Sequence, residues 1–265
     1  MDIHLKEDFR LFGIRPEKWY ILLIVFITII AWELGVHIGV LSSLFFPPPS
    51  VTLMTFIKLV INGKLATHAG ATLLRVFVGL GLGVVPGLIL GLAMGWSRRL
   101  YVLIDPFIAA THPIPKIAIL PLIMIIFGIG ESSKFVVVAV STFFPMLINT
   151  IAGVRQISPI HFEVAKNYGA NLFKIFTRVI VPGSLPLVMA GLRLALNMAL
   201  LITIAVELVS AQEGLGAMIW FAWQTLRTEE LYVSLGVTSV LGLIFNFLLR
   251  HLAITLAPWQ IEQKN

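Results

Sequence analysis

No cysteine occurs among the 265 residues, which excludes disulfides, Cys-ligated zinc and iron–sulfur clusters. Charge is also scarce: Asp, Glu, Lys and Arg make up 12% of the chain, where a soluble domain carries about 25%. The six histidines, His4, His37, His68, His112, His161 and His251, are too dispersed in the sequence to argue for a metal. No His-Glu-x-x-His, Gly-x-Ser-x-Gly or clustered carboxylate pair is present, which disfavours an enzyme. A phosphate loop is missing too, since the Gly63-Lys64 pair is followed by Leu65 rather than Ser or Thr. Low-complexity sequence is confined to Pro47, Pro48 and Pro49. No inverted repeat of the apolar runs is visible, so a repeat-built secondary transporter is not favoured.

What the chain has instead is apolar surface. Hydrophobic residues make up 58% of it and the mean hydropathy is +0.97. At about 20 apolar residues per transmembrane helix, the pattern predicts an all-α membrane protein with six spans, near 19–40, 68–96, 100–127, 135–154, 185–209 and 231–256. The first run lacks a small-residue cleavage site and is read as a retained helix rather than a signal peptide. Residues 1–18 form an N-terminal segment, 19–256 the six-span unit and 257–265 a tail.

Basic residues orient the spans, because Lys and Arg concentrate in cytoplasmic loops. Twelve belong to one side: Lys6, Arg10, Arg15, Lys18, Arg98, Arg99, Arg155, Lys166, Lys174, Arg178, Arg250 and Lys264. The other side holds four, Lys58, Lys64, Lys134 and Arg227, while Arg75, Lys116 and Arg193 fall within spans. Both termini are therefore expected in the cytoplasm. The net charge of +6 follows from this loop bias and does not imply nucleic acid.

The cytoplasmic loop 155–182 is long and structured. Ser158 and Pro159 read as the cap and first position of a helix that Gly169 ends in a left-handed turn. Asn171 reads as the cap of a second helix, reaching Val181 and stopping at Pro182. Outside, Ser50 reads as the cap of a helix to Asn62 with Gly63 as its stop. Leu215, Met218, Ile219, Ala222 and Leu226 form an apolar stripe opposite Glu229 and Glu230, preceded by the flexible points Gly214 and Gly216.

The loop carries the pattern Glu163-x-Ala165-x-x-x-Gly169, then Val179, Val181 and Pro182. This resembles the coupling loop of permease subunits of ABC importers, with Val164 where the family usually has a second alanine. The likeness covers nearly the whole chain and is closest to permeases for nitrate, sulfonate, taurine and bicarbonate. It includes Phe46 to Ser50, His68 to Arg75, Pro115 to Lys134, Phe144 to Asn149 and Glu207 to Gly216. The resemblance implies a homodimer of permeases, two cytoplasmic ATPase subunits that hold ATP and magnesium, and an external solute-binding protein. It also implies that Glu163, Val164, Ala165, Gly169 and Pro182 couple this chain to the ATPase, and that the solute is a small anion.

Two further sets of residues stand out. Gly79, Gly83, Gly87, Gly91 and Gly95 recur at every fourth position, which predicts a closely crossed helix pair. Arg193, Glu207, Lys116 and Arg75 are ionisable groups in or near spans, where they are costly unless paired or hydrated. They are candidates for the translocation pathway, with Arg193 near the cytoplasmic gate. Snorkelling of the cations to headgroups is the competing reading. Pro106, Pro113, Pro115 and Pro121 break the third span and free carbonyls that need partners. Alternatives to an anion importer are a proton-coupled secondary transporter using Glu33, Asp105 or Glu207, an intramembrane enzyme, or an ABC importer for a neutral vitamin precursor.

Overall fold

The computed structural model describes residues 16–256, and their side chains from residue 19 onward. The expectations for 1–15 and for the tail 257–265 lie outside the described residues. Among those described, every regular element is helical: α1 (Pro16–His37), α2 (Pro49–Ile61), α3 (Lys64–Trp96), α4 (Arg98–Thr111), α5 (Leu120–Phe127), α6 (Glu131–Arg155), α7 (Pro159–Asn167), α8 (Leu172–Ile175), α9 (Val181–Ser210), α10 (Leu215–Gln224) and α11 (Thr228–Leu256). A short 3₁₀ turn, Lys116–Ile119, leads into α5, and a π turn, Phe176–Ile180, joins α8 to α9.

Five of these helices are long and apolar enough to cross a membrane, and α4 with the α5 segment supplies a sixth, bent by 86°. The third span is thus two helices meeting at an angle, because Pro113 and Pro115 interrupt the backbone hydrogen bonds at the join. Several ends differ from the sequence expectation. The first span begins at Pro16 and stops at His37, α3 starts at Lys64, α6 at Glu131 and α11 at Thr228. Arg250, assigned to the tail by sequence, is inside α11.

Proline explains another difference. The helix capped by Asn171, whose side chain accepts from the Lys174 N–H, does not stop at Pro182. It widens into the π turn and continues as α9. The wider turn accommodates a proline ring that would otherwise clash with the preceding turn. Two caps also differ. Ser158 precedes α7 without a side-chain cap bond, and α2 is preceded by Pro48 with Ser50 already inside it. Glu33 of α1 supplies that cap instead, accepting from the Ser50 N–H at 3.0 Å and the Ser50 hydroxyl at 2.7 Å.

The centre of the bundle is α3, α6 and α9. One apolar core joins Val76, Val137, Val138, Leu196, Ala199, Leu200 and Val206 with Phe245 and Leu249 of α11. A second lies between α2, α3, α10 and α11 around Leu59, Leu65, Leu215, Met218 and Val233. Against this centre α1 is peripheral, most of its described side chains being exposed.

Candidate functional site

The helix α3 is narrow where it meets α6. Gly79, Gly83, Gly87, Gly91 and Gly95 face Val138, Thr142, Met146, Thr150 and Val154 in turn, so both helices contribute every fourth residue and run parallel. A Cβ on Gly79 would lie 2.5 Å from Val138, on Gly91 2.6 Å from Thr150 and on Gly95 2.5 Å from Val154. At Gly83 it would overlap Thr142 Oγ1 and the Ala139 carbonyl. The missing side chains let two backbones approach within one membrane domain, where dispersion contacts and packing hold helices together.

At one end of α3, four charged groups assemble. Arg75 donates through Nε and Nη2 to the two oxygens of Glu131 at 2.7 and 2.8 Å, and through Nη1 to Glu207 Oε1 at 2.7 Å. Lys134 Nζ reaches Glu131 at 2.7 Å. Glu207 is wholly buried. Its carboxylate also accepts from Thr72 Oγ1 at 2.9 Å and from the Gly216 N–H at 2.9 Å, while Thr72 Oγ1 accepts from the Leu215 N–H at 2.8 Å. Two cations and two carboxylates balance in charge, and the geometry is that needed to offset burial of an ion pair.

This cluster fixes the turn between α9 and α10. Gly214, at φ +128°, and Gly216 pack directly on Glu207, and a Cβ on either would overlap its side chain or the Ile204 carbonyl. These glycines serve close approach, whereas the sequence suggested flexible points. The Gly214 N–H also donates to His68 Nδ1 at 3.1 Å. From there α10 buries Leu215, Met218 and Ala222 and ends at Gln224, short of Leu226, which sits at φ +56°. Glu230, at the start of α11, holds Lys64 at 2.8 Å and Arg227 at 3.3 Å.

Lys116 occupies the bend of the third span. Its ammonium donates to the carbonyls of Thr111, His112 and Ile114 at 3.0, 2.9 and 2.8 Å and stands 4.3 Å from the Phe144 ring centre. Pro115 has no N–H to give the Thr111 carbonyl, which keeps only a turn bond from the Ile114 N–H at 3.3 Å, and a lysine with three N–H groups serves the carbonyls at this break. Arg75, Glu207 and Lys116 thus have their donors or acceptors engaged by protein. Arg193, on α9, is exposed with no carboxylate partner among the described residues.

At the opposite end of the bundle from the Arg75 cluster, α7 projects between α6 and α8. No residue of α7 is buried. Phe162 and Ala165 lean on a small core of Val154, Ile175 and Ile180, while Glu163, Val164, Lys166 and Asn167 are exposed. Gly169 has φ +72° with nothing within 4 Å of its missing Cβ, so glycine is required there by the backbone turn and not by space. Pro182 is half-buried at the start of α9. Beside this knob Arg155 lies over the Tyr101 ring at 3.4 Å and Trp96 stacks on Phe176 at 5.7 Å.

Among the described residues no group of three His, Asp or Glu side chains could hold a metal. Sequence reasoning missed Thr72, Glu131, Lys134 and the α6 ridge. Its usable signal was the matching every-fourth spacing of Val138, Thr142, Met146, Thr150 and Val154.

Residues 83–258 match the family model described as "Binding-protein-dependent transport system inner membrane component". The chain is similar to the taurine transport system permease protein TauC of Escherichia coli (strain K12), 32% identical over 241 residues that cover 89% of this chain and 88% of that protein. The putative aliphatic sulfonates transport permease protein SsuC of Bacillus subtilis (strain 168) is 31% identical, covering 90% and 87%. A chain of the MetNI methionine ABC transporter, solved in inward-facing conformations, shares the fold with a TM-score of 0.62 at 20% identity, over 70% of this chain and 93% of that one.

Proposed function

The chain belongs to the family of binding-protein-dependent transport system inner membrane components, and on that premise we propose that it carries a small anion, a sulfonate such as taurine above all, through a pathway shared by two copies. It is a transport subunit of an ABC importer, and ATP hydrolysis belongs to a separate partner chain. ATP and magnesium sit on that partner, and an external binding protein delivers the solute. The taurine and sulfonate permeases to which the chain is similar support the anion class.

The observation that carries the reading is α7: a helix with no buried residue, standing clear of the spans and rooted by Phe162 and Ala165 against Val154, Ile175 and Ile180. A helix so placed has one face for a partner and one for the bundle. Glu163 and Val164 meet the ATPase, Ala165 allows close approach, Gly169 sets the exit turn, and the path through Pro182 into α9 carries the motion onward without a break. ATP-driven closure of the ATPases then biases the spans between two access states, which requires α7 to dock with different affinity in each. The bias of basic residues toward the α7 side supports a cytoplasmic location for that side and for both termini. Of the charges in spans, the exposed and unpaired Arg193 is the one suited to meet the solute.

The test is recovery of tagged chain from its native membrane in mild detergent, with partners identified by mass spectrometry and ATPase activity assayed. An ATPase subunit that co-purifies, and is lost in the double variant Glu163→Ala and Gly169→Val, supports the reading. A chain recovered alone that transports without ATP overturns it.

A further inference from the structure

The pairing of α9 with α11 places four polar residues on one exposed face. Asn246 Nδ2 is 3.4 Å from Asn197 Oδ1 and donates to the Gly242 carbonyl at 2.9 Å. Gly242 faces Leu200 at 3.6 Å, and the two helices bury Leu196, Ala199 and Leu200 against Phe245 and Leu249. The helices are antiparallel, so a step back of four residues on α9, from Asn197 to Arg193, and a step forward of four on α11, from Asn246 to Arg250, lead to the same level. Each step is about one helical turn, roughly 6 Å. Arg193 and Arg250 therefore lie at one level, one turn from the asparagine pair, and all four side chains are exposed in the single chain.

Neither arginine has a carboxylate partner among the described residues. The carboxylates of the two helices, Glu207, Glu229 and Glu230, are several turns away toward the other end. Glu207 and Glu230 are already ion-paired there. Two guanidinium groups at one level of membrane-spanning helices, with no carboxylate partner among the described residues, are costly to leave in hydrocarbon. They are stable beside water that brings an anion. Arg and Asn side chains together offer planar N–H donors, the chemistry that holds the oxygens of a sulfonate, sulfate or carboxylate.

We propose that Arg193, Asn197, Asn246 and Arg250 form a subsite for the oxyanion group of the transported solute on the wall of the pathway. That the oxyanion belongs to a transported solute rests on the importer reading, while the anion site itself stands on the four residues. A phospholipid phosphate has the same chemistry, and the test separates it from a dissolved solute.

Because the chain has no cysteine, the variant Asn197→Cys introduces a single thiol. In membranes permeable on both sides, its modification rates are compared for an anionic reagent, sulfonatoethyl methanethiosulfonate, and a cationic one, trimethylammonioethyl methanethiosulfonate. Each rate is normalised to that of a free thiol, which removes the reagents' intrinsic difference, and the thiolate fraction, common to both reagents, cancels in the ratio. The expected ratio favours the anionic reagent on the order of 10-fold, as cationic clefts concentrate anions. It falls to near one when Arg193→Gln and Arg250→Gln are added. It persists with Arg193→Lys and Arg250→Lys, which shows that the chain still folds with both arginines replaced. Methanesulfonate slows the reaction, and neutral methanesulfonamide does not.

A thiol unreactive toward both reagents, or a ratio indifferent to the Gln pair, overturns the proposal. So does a ratio in nanodiscs that follows anionic lipid content and ignores methanesulfonate, since the occupant is then a headgroup. Failure of the importer reading appears separately, as absence of an ATPase from the complex purified from the same membranes.

Discussion

Arg75 of α3 meets the fully buried carboxylate of Glu207 of α9 at 2.7 Å, and the same guanidinium grips Glu131 of α6 with its other edge. One side chain thereby ties the three central helices together. The α9–α10 turn is added through Glu207, which accepts from the Gly216 N–H, and through the Glu213 carbonyl, which accepts from Arg75.

Removing one partner of this pair leaves a buried charge unmatched. Arg75→Met and Glu207→Gln are each expected to lower stability by about 3–5 kcal/mol, read as a fall in the thermal midpoint of the purified chain. The double variant is expected to lose less than the sum of the two, by about 0.5–3 kcal/mol of coupling. Strict additivity in the thermal series would show that the two groups do not depend on each other.

Glycines of α3 differ by face. Gly87→Ala puts a methyl 2.8 Å from the Phe143 carbonyl, whereas Gly81→Ala meets nothing within 4 Å. The first is expected to destabilise by about 1–3 kcal/mol, and the second to be neutral or stabilising by up to about 1 kcal/mol through helix propensity. Equal midpoints for the two variants would contradict the packing of α3 on α6.

Gly169 tests backbone against space. Since nothing lies near its missing Cβ, Gly169→Val is expected to act only through its left-handed φ, at a cost of roughly 1–2 kcal/mol, and to weaken coupling of ATP hydrolysis to uptake. Gly169→Asn, which tolerates that conformation, is expected to keep most of the coupling. The check is the ratio of solute moved to ATP hydrolysed in proteoliposomes.

The bend of the third span depends on a lysine. Lys116→Met strips donors from three carbonyls and is expected to broaden the angle between α4 and α5. Spin labels on the variants Val102→Cys and Leu122→Cys, both at exposed positions, give the distance distribution. A distribution as narrow as that of the unsubstituted lysine would mean that other groups hold the bend.

Much of this molecule was written in the order of its residues. Apolar runs of span length, basic loops on one side, the Gly169 turn and the proline break of the third span are local properties, set by desolvation of the backbone and by the torsions that glycine and proline permit. They determined an all-helical membrane protein with a structured loop at 155–182, and the motif in that loop pointed to the family.

Pairing across the chain was not written there. The sequence showed Arg75, Glu207 and Lys116 as isolated charges, equally compatible with a pathway or with headgroups. Only the tertiary structure set Glu131 beside Arg75, the Thr111 to Ile114 carbonyls around Lys116, and Asn246 beside Asn197. The reason is physical: a charge in a span must find a partner or water. Which partner it finds depends on helix packing, here the apposition of the α3 glycines with an α6 ridge more than forty residues away in sequence, and no local rule of torsion or hydropathy encodes that distance.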